Sequence, residues 1–175
     1  MLKDVQPALA GNRLCWLDLG VAVRAGKDQP ASFHYLFTDG RFDVPGMAGI
    51  PFSLTVQSQP RLVSSPDGTR IYALLGDSTD GRTPSHPAVY RWDLPGGKLA
   101  EPFVGDSKAP GADAGRLNAP SGLDCDAQGR LYVADRANNR IQIFSPEGRF
   151  LKTLKIERPM LVRVHAKSGA LYILH

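Results

Sequence analysis

The chain of 175 residues carries 21 Lys and Arg against 17 Asp and Glu, a formal charge of +4, and is 42% hydrophobic and 22% charged. That length suffices for one domain with a real core, and that balance excludes both a disordered chain and a membrane protein by composition. No apolar run approaches the roughly 20 residues of a membrane helix, and the start, MLKDVQPALAG, lacks the apolar segment of a secretory signal.

Gly (18) and Pro (14) are spread along the whole chain, a pattern that suits many short strands joined by turns. Apolar residues alternate or form short runs, and no stretch keeps a helical period. In chain order, a first four-strand unit is expected at about 5–45, with GNRLCWLDL from Gly11 and FHYLFTDGRFDVP from Phe33. A second, at about 55–104, reads PRLVSSPDGTRIYALL from Pro60 and VYRWDLPGGKLAEPF from Val89, separated by the insertion GDSTDGRTPSHP. After a second insertion, GDSKAPGADAGRLNA, comes a third unit at 118–156: PSGLDCDAQGRLYVAD from Pro120 and RIQIFSPEGRFLKTL from Arg140. Half a unit, PMLVRVHAKSGALYIL, occupies 157–175.

These segments superimpose. Pro60 to Tyr72 and Pro120 to Tyr132 are both 12 residues apart, Pro159 to Tyr172 is 13, and Pro120 to Pro159 is 39. A four-stranded unit repeating at about 40 residues is the signature of a propeller blade. With strands lettered A to D from the inside outward, the clearest blade has A at Gly122–Asp126, B at Arg130–Asp135, C at Arg140–Phe144 and D at Arg149–Leu154. The fold expected is therefore all-β, a propeller of four-stranded antiparallel blades, incomplete at three and a half. The segment Leu117–Leu154, LNAPSGLDCDAQGRLYVADRANNRIQIFSPEGRFLKTL, resembles an NHL repeat, with Pro60–Phe103 a degenerate copy and Pro159–His175 half of one. The resemblance implies a ring of six blades. A chain of three and a half blades is then expected to belong to a longer propeller or to complete its ring with another chain. Its unpaired blade edge is a site for self-association.

The polar centre of YVADRANNRIQIF is the first candidate for chemistry. Asp and Asn side chains bond neighbouring backbone N–H groups and favour turns, so Asp135, Asn138, Asn139 and Arg140 are read as the hardware of the B–C hairpin, Asp135 facing Arg140 across its mouth. The four histidines, His34, His86, His165 and His175, show no metal-binding spacing. The Asp-containing loop Gly76–Gly81 lacks the alternating ligands of a calcium loop. No metal, cofactor or catalytic residue is expected. Cys15 and Cys125, in RLCWL and GLDCD, are expected as buried free thiols.

The resemblance also extends to enzymes, an amidating lyase and the gluconolactonases, whose metal ligand stands just after the strand A proline. Here Ser121-Gly122 occupies that place. The basic excess belongs to the C-terminal third: residues 1–115 hold 11 basic and 12 acidic residues, and 116–175 hold 10 and 5. In a propeller the B–C and D–A loops share one face. The candidate binding residues Arg61, Arg116, Arg136 and Arg158 fall on it, and clustered arginines suit phosphate or carboxylate groups. The function expected is a non-catalytic binding or scaffold module whose partner is a protein or a small anionic ligand. Nucleic acid is the lesser candidate, because those loops lack stacking aromatics. The runner-up is a metal-dependent propeller enzyme of the lyase or lactonase kind.

Overall fold

The computed structural model describes residues 61–74, 87–94 and 102–175 in full, and the backbone of strands at 8–10, 13–18, 32–37 and 42–43. The insertion at 76–86, His86 and the side chains of His34 and Cys15 lie outside the described residues.

The chain is all-β. Strands β1 (Ala8–Ala10), β2 (Arg13–Asp18), β3 (Ser32–Phe37) and β4 (Phe42–Asp43) form one antiparallel sheet in that order. A second sheet holds β5 (Arg61–Ser64), β6 (Arg70–Leu74), β7 (Ala88–Asp93) and β8 (Val104–Gly105). A third holds β9 (Pro120–Cys125), β10 (Leu131–Asp135), β11 (Arg140–Phe144) and β12 (Phe150–Lys155). The pair β13 (Leu161–Val164) and β14 (Leu171–Leu174) stands alone. Each sheet is an up-and-down meander, so every neighbour in sequence is a neighbour in space. The inner strands β1, β5, β9 and β13 follow one another side by side, and the sheets do not close into a ring.

Period-2 alternation explains how the sheets stack. On β10, Leu131 and Val133 point to one side and join Tyr72, Leu74, Val89, Val104, Leu117, Leu123 and Phe144 in a core between the second and third sheets. Tyr132 and Ala134 point the other way and join Ile141, Ile143 and Val162, with Leu171 and Ile173 against them, in a core between the third sheet and the β13–β14 pair. A sheet covered on both faces needs apolar residues at successive positions, which is why LYVA in β10 is an unbroken run. Each fully buried Val, Leu, Ile or Phe side chain of these cores contributes about 1.5–3 kcal/mol.

Gly122 sets the approach of the inner strands. A Cβ placed on it would lie 3.1 Å from Leu161 Cα, 3.1 Å from Met160 O and 3.3 Å from Val162 N. The backbone of β13 thus occupies the space that any other residue would need.

Three strands of this blade differ from expectation: β9 is Pro120–Cys125 rather than Gly122–Asp126, β10 starts at Leu131 rather than Arg130, and β12 is Phe150–Lys155 rather than Arg149–Leu154. The shift of β12 has a local cause: Gly148, at φ +85°, turns the chain, and the carbonyl of Arg149 accepts the Ser145 N–H at 2.8 Å. Arg149 therefore closes the turn, and the ladder resumes at Phe150 through a register shift opposite Ile143 and Phe144. On the β13–β14 pair, Tyr172 (63%) and Leu174 (56%) are exposed, and among the described residues β14 pairs with β13 alone.

Candidate functional site

The sequence between β10 and β11 folds as a single 3-10 turn, Arg136–Asn138, ended by Asn139 in the left-handed region at φ 52°. Asn tolerates that conformation better than other non-glycine residues. Asp135, at the end of β10, is fully buried. Its Oδ2 accepts Arg140 Nε–H at 2.7 Å, Asn138 Nδ2–H at 2.9 Å and Gln142 Nε2–H at 3.3 Å, while Oδ1 accepts the backbone N–H of Asn118 at 2.7 Å. A buried carboxylate is tolerable only with such a set of donors.

The same side chains reach beyond the hairpin and hold the inserted segment before β9. Arg140 donates through Nη1 to the carbonyl of Ala112 at 2.6 Å and through Nη2 to those of Asp113 and Arg116, both at 3.0 Å. Asn138 Nδ2 donates to Gly111 O at 2.8 Å, and Gln142 Oε1 accepts the Gly115 N–H at 2.9 Å. The loop at 111–118 thus has few bonds of its own and is moulded on the turn. Gln142, fully buried, is a member of this network that reading the sequence missed. Its only signal there is a polar residue on the core-facing side of an otherwise apolar strand.

The four arginines expected on the binding face meet different fates. Arg116 Nη2 donates to Asp106 Oδ2 at 3.2 Å and to Ala109 O at 3.1 Å, so its charge is engaged within the loop. Arg61 opens β5 and is half-buried. Arg136 and Arg158 line one cavity of about 370 Å³ together with Ala119, Ala137 and Asn139. Neither guanidinium has a hydrogen-bonding or ionic partner among the described residues, whereas those of Arg70, Arg91, Arg116, Arg130, Arg140, Arg149 and Arg163 do. Three residues of the cavity wall, Ala119 (φ 49°), Asn139 and Arg158 (φ 41°), are the described non-glycine residues with positive φ. Such backbone costs of order 1–3 kcal/mol per residue and persists only where its surroundings fix it. Here the fixing bonds are visible: Arg158 N–H donates to Asn139 Oδ1 at 3.0 Å, Ile156 N–H to Asn139 O at 3.1 Å and Ala137 N–H to Asn118 O at 3.1 Å.

The opposite face is closed by its own strand ends. Asp126 Oδ1 accepts the N–H groups of Gln128 and Arg130, and its Oδ2 accepts Arg130 Nε–H at 2.6 Å and the Tyr132 hydroxyl at 3.1 Å. Ser65, Ser145 and His165 hold the corresponding position of their turns; His165 Nδ1 accepts the Ser168 N–H at 3.2 Å. His165 is exposed and sits in that turn. Beside Ser65, the hydroxyl of that residue and the Thr69 N–H pull the Asp67 carboxyl down to about 2. Cys125 is a free thiol, pushed up to about 12 by burial and by the nearby Asp126 and Asp124, which makes it a poor nucleophile. Among the described residues, no group of three His, Cys, Asp or Glu is placed to hold a metal.

Four-stranded antiparallel sheets stacked around a common inner edge define a β-propeller fold. The repeat is of the NHL type: the NHL repeat profile matches residues 117–144. Among curated proteins, the chain is similar to E3 ubiquitin-protein ligase TRIM71 of Xenopus tropicalis, 46% identical over 116 residues that cover 51% of this chain and 14% of that protein. It is similar as well to protein lin-41 of Caenorhabditis elegans, 49% identical over 41 residues, 23% of this chain and 4% of that one. The chain thus spans a small part of these relatives' length. Among solved structures, a protein of unknown function from Bacteroides thetaiotaomicron matches with a TM-score of 0.71 at 13% identity, over 97% of this chain and 44% of that one. A streptogramin B lyase matches with a TM-score of 0.59 at 14% identity, over 97% and 47%. At such identities the likeness is one of fold.

Proposed function

We propose that residues 1–175 form one partial NHL-type propeller module. It acts as a non-catalytic binding unit that engages a protein or an anionic ligand through the face made by its B–C and D–A loops. One observation carries this reading: Arg136, in the loop between β10 and β11, and Arg158, in the loop between β12 and β13, share a cavity and have no ion-pair partner among the described residues. Guanidiniums elsewhere in the described chain are mostly tied to carboxylates or carbonyls, and an untied pair in a concave site favours a carboxylate or phosphate. The rigid turn beneath supports a preorganised site, since Asp135, Arg140 and Gln142 fix the loop that supplies Ala119.

The lyase-like reading has less behind it. At the place of the metal ligand in that enzyme stands Ser121, whose hydroxyl donates to Pro159 O at 2.8 Å and thereby ties β9 to the next blade.

Isothermal titration with polyglutamate and with tripolyphosphate tests the proposal. At least one of the two should bind the unmodified chain, and the double variant Arg136→Glu/Arg158→Glu should lose that binding while its thermal midpoint stays put. Binding that survives the double reversal would sink the reading.

A further inference from the structure

The cavity of Arg136 and Arg158 does not stand alone. A second, open cavity of about 610 Å³ lies beside it, lined by Asn138, Asn139, Arg140, Thr153, Lys155, Ile156 and Glu157. Asn139 lines both, so the two cavities adjoin at that residue and together make a cleft at the end of the third blade. The chemistry from one to the other is ordered. At one end are two untied guanidiniums, those of Arg136 and Arg158, in a cavity that Ala119 and Ala137 also line. In the middle Asn139 spends its Oδ1 on Arg158 N–H and keeps its amide N–H groups. At the other end stand the Lys155 ammonium and the half-buried Ile156. The cleft therefore offers donors and cations punctuated by apolar surface, with Glu157 as its acid.

We infer that this cleft takes an extended acidic peptide, with one carboxylate in the Arg136–Arg158 cavity, a second against Lys155 and an apolar side chain on Ile156. The inference rests on the binding reading of this face and names its ligand. A single-stranded nucleic acid fits less well. Base recognition on such a surface relies on aromatic stacking, and no aromatic residue lines either cavity. Glu157 also interrupts the run of positive charge that a phosphate backbone would follow. A peptide can place an apolar or neutral residue opposite Glu157, whereas a uniformly charged strand cannot.

The test is fluorescence anisotropy on the 175-residue protein with three labelled probes: a peptide alternating Glu and Leu, the matched peptide with Gln for Glu, and a single-stranded RNA of similar length. The Glu peptide should bind and the Gln peptide should not. Arg158→Glu should weaken the Glu peptide by about tenfold or more, and added salt should weaken it as well. Glu157→Gln, which removes the one repulsive charge, should strengthen it. Circular dichroism and the milder pair Arg136→Gln/Arg158→Gln separate lost binding from lost fold. Equal binding of the Glu and Gln peptides, or no gain from Glu157→Gln, overturns the inference. If RNA binds in an arginine-dependent way and the Glu peptide does not, the acidic-peptide inference falls and the binding face stands. If no probe depends on the arginines, both fall.

Discussion

Replacing Asp135 with alanine removes the acceptor on which the whole turn converges. The carboxylate is fully buried and takes four donors: Arg140 Nε–H, Asn138 Nδ2–H, Gln142 Nε2–H and the Asn118 N–H. Its partner Arg140 is only 13% exposed, so the truncation strands a cation in a poorly hydrated place. Breaking a buried pair in this way costs about 3–5 kcal/mol. Arg140 keeps its bonds to the carbonyls of Ala112, Asp113 and Arg116, which places the expected loss at the lower end, about 3 kcal/mol. For a chain of this size that corresponds to a fall in Tm of about 6–12 °C. Denaturant unfolding measures the loss, and hydrogen exchange localises it: the amides of Gly115 and Asn118 should exchange faster than those in the centre of β10. Asp135→Asn separates charge from volume. It preserves the acceptor for Asn118 but turns an NH2 group toward three donors, so it should destabilise nearly as much as alanine. A double-mutant cycle with Arg140→Ala should return a coupling of about 0.5–3 kcal/mol. A loss below about 1 kcal/mol for Asp135→Ala, or full rescue by asparagine, would refute the account of this network.

Three other perturbations have defined outcomes. Gly122→Val drives a side chain into the backbone of β13 and should cost about 1–3 kcal/mol; limited proteolysis should then cleave 158–175 first. Asp67 has its carboxyl lowered from 3.8 to about 2 in the folded chain, chiefly by the Ser65 hydroxyl. Its contribution is therefore full above about pH 3.8 and lost as the pH falls toward 2, and Asp67→Asn should flatten the acid limb of the stability curve there. Tyr172 and Leu174 expose apolar surface on the free strand β14. Sedimentation should detect concentration-dependent association that Tyr172→Lys with Leu174→Lys abolishes, and a monomer at all concentrations would contradict the open-edge reading.

The third blade was legible because its strands are written in local chemistry. Alternation, a proline, a Gly turn and the YVAD–NNRIQ pairing are all short-range signals, and β11 falls on the expected residues. What stayed hidden depends on contacts far apart in sequence. Gln142 looks like a stray polar residue until the loop at 111–118 folds onto it 27 residues away. Arg116 reads as a free surface cation, yet Asp106 is brought to it by the curl of the same insertion. The pairing of Arg136 with Arg158 in one cavity needs adjacent blades at a particular spacing, which a repeat period implies only in outline. The end-of-strand positions Ser65, Asp126, Ser145 and His165 each accept an N–H of their own turn. Their kinship is masked in sequence because a hydroxyl, a carboxylate and an imidazole can all do so.

The close approach at Gly122 has a bearing on the geometry of propeller assembly. Blades radiate from their inner strands like the leaves of a fan, so the separation at the hub helps determine the angle each blade subtends. A methyl group at position 122 would push β9 and β13 apart by a few tenths of an ångström at the centre, widening the hub while leaving the outer strands free to follow. The absence of one side chain on an inner strand thus acts on how closely two neighbouring blades meet at their inner edge, without any contact with a ligand.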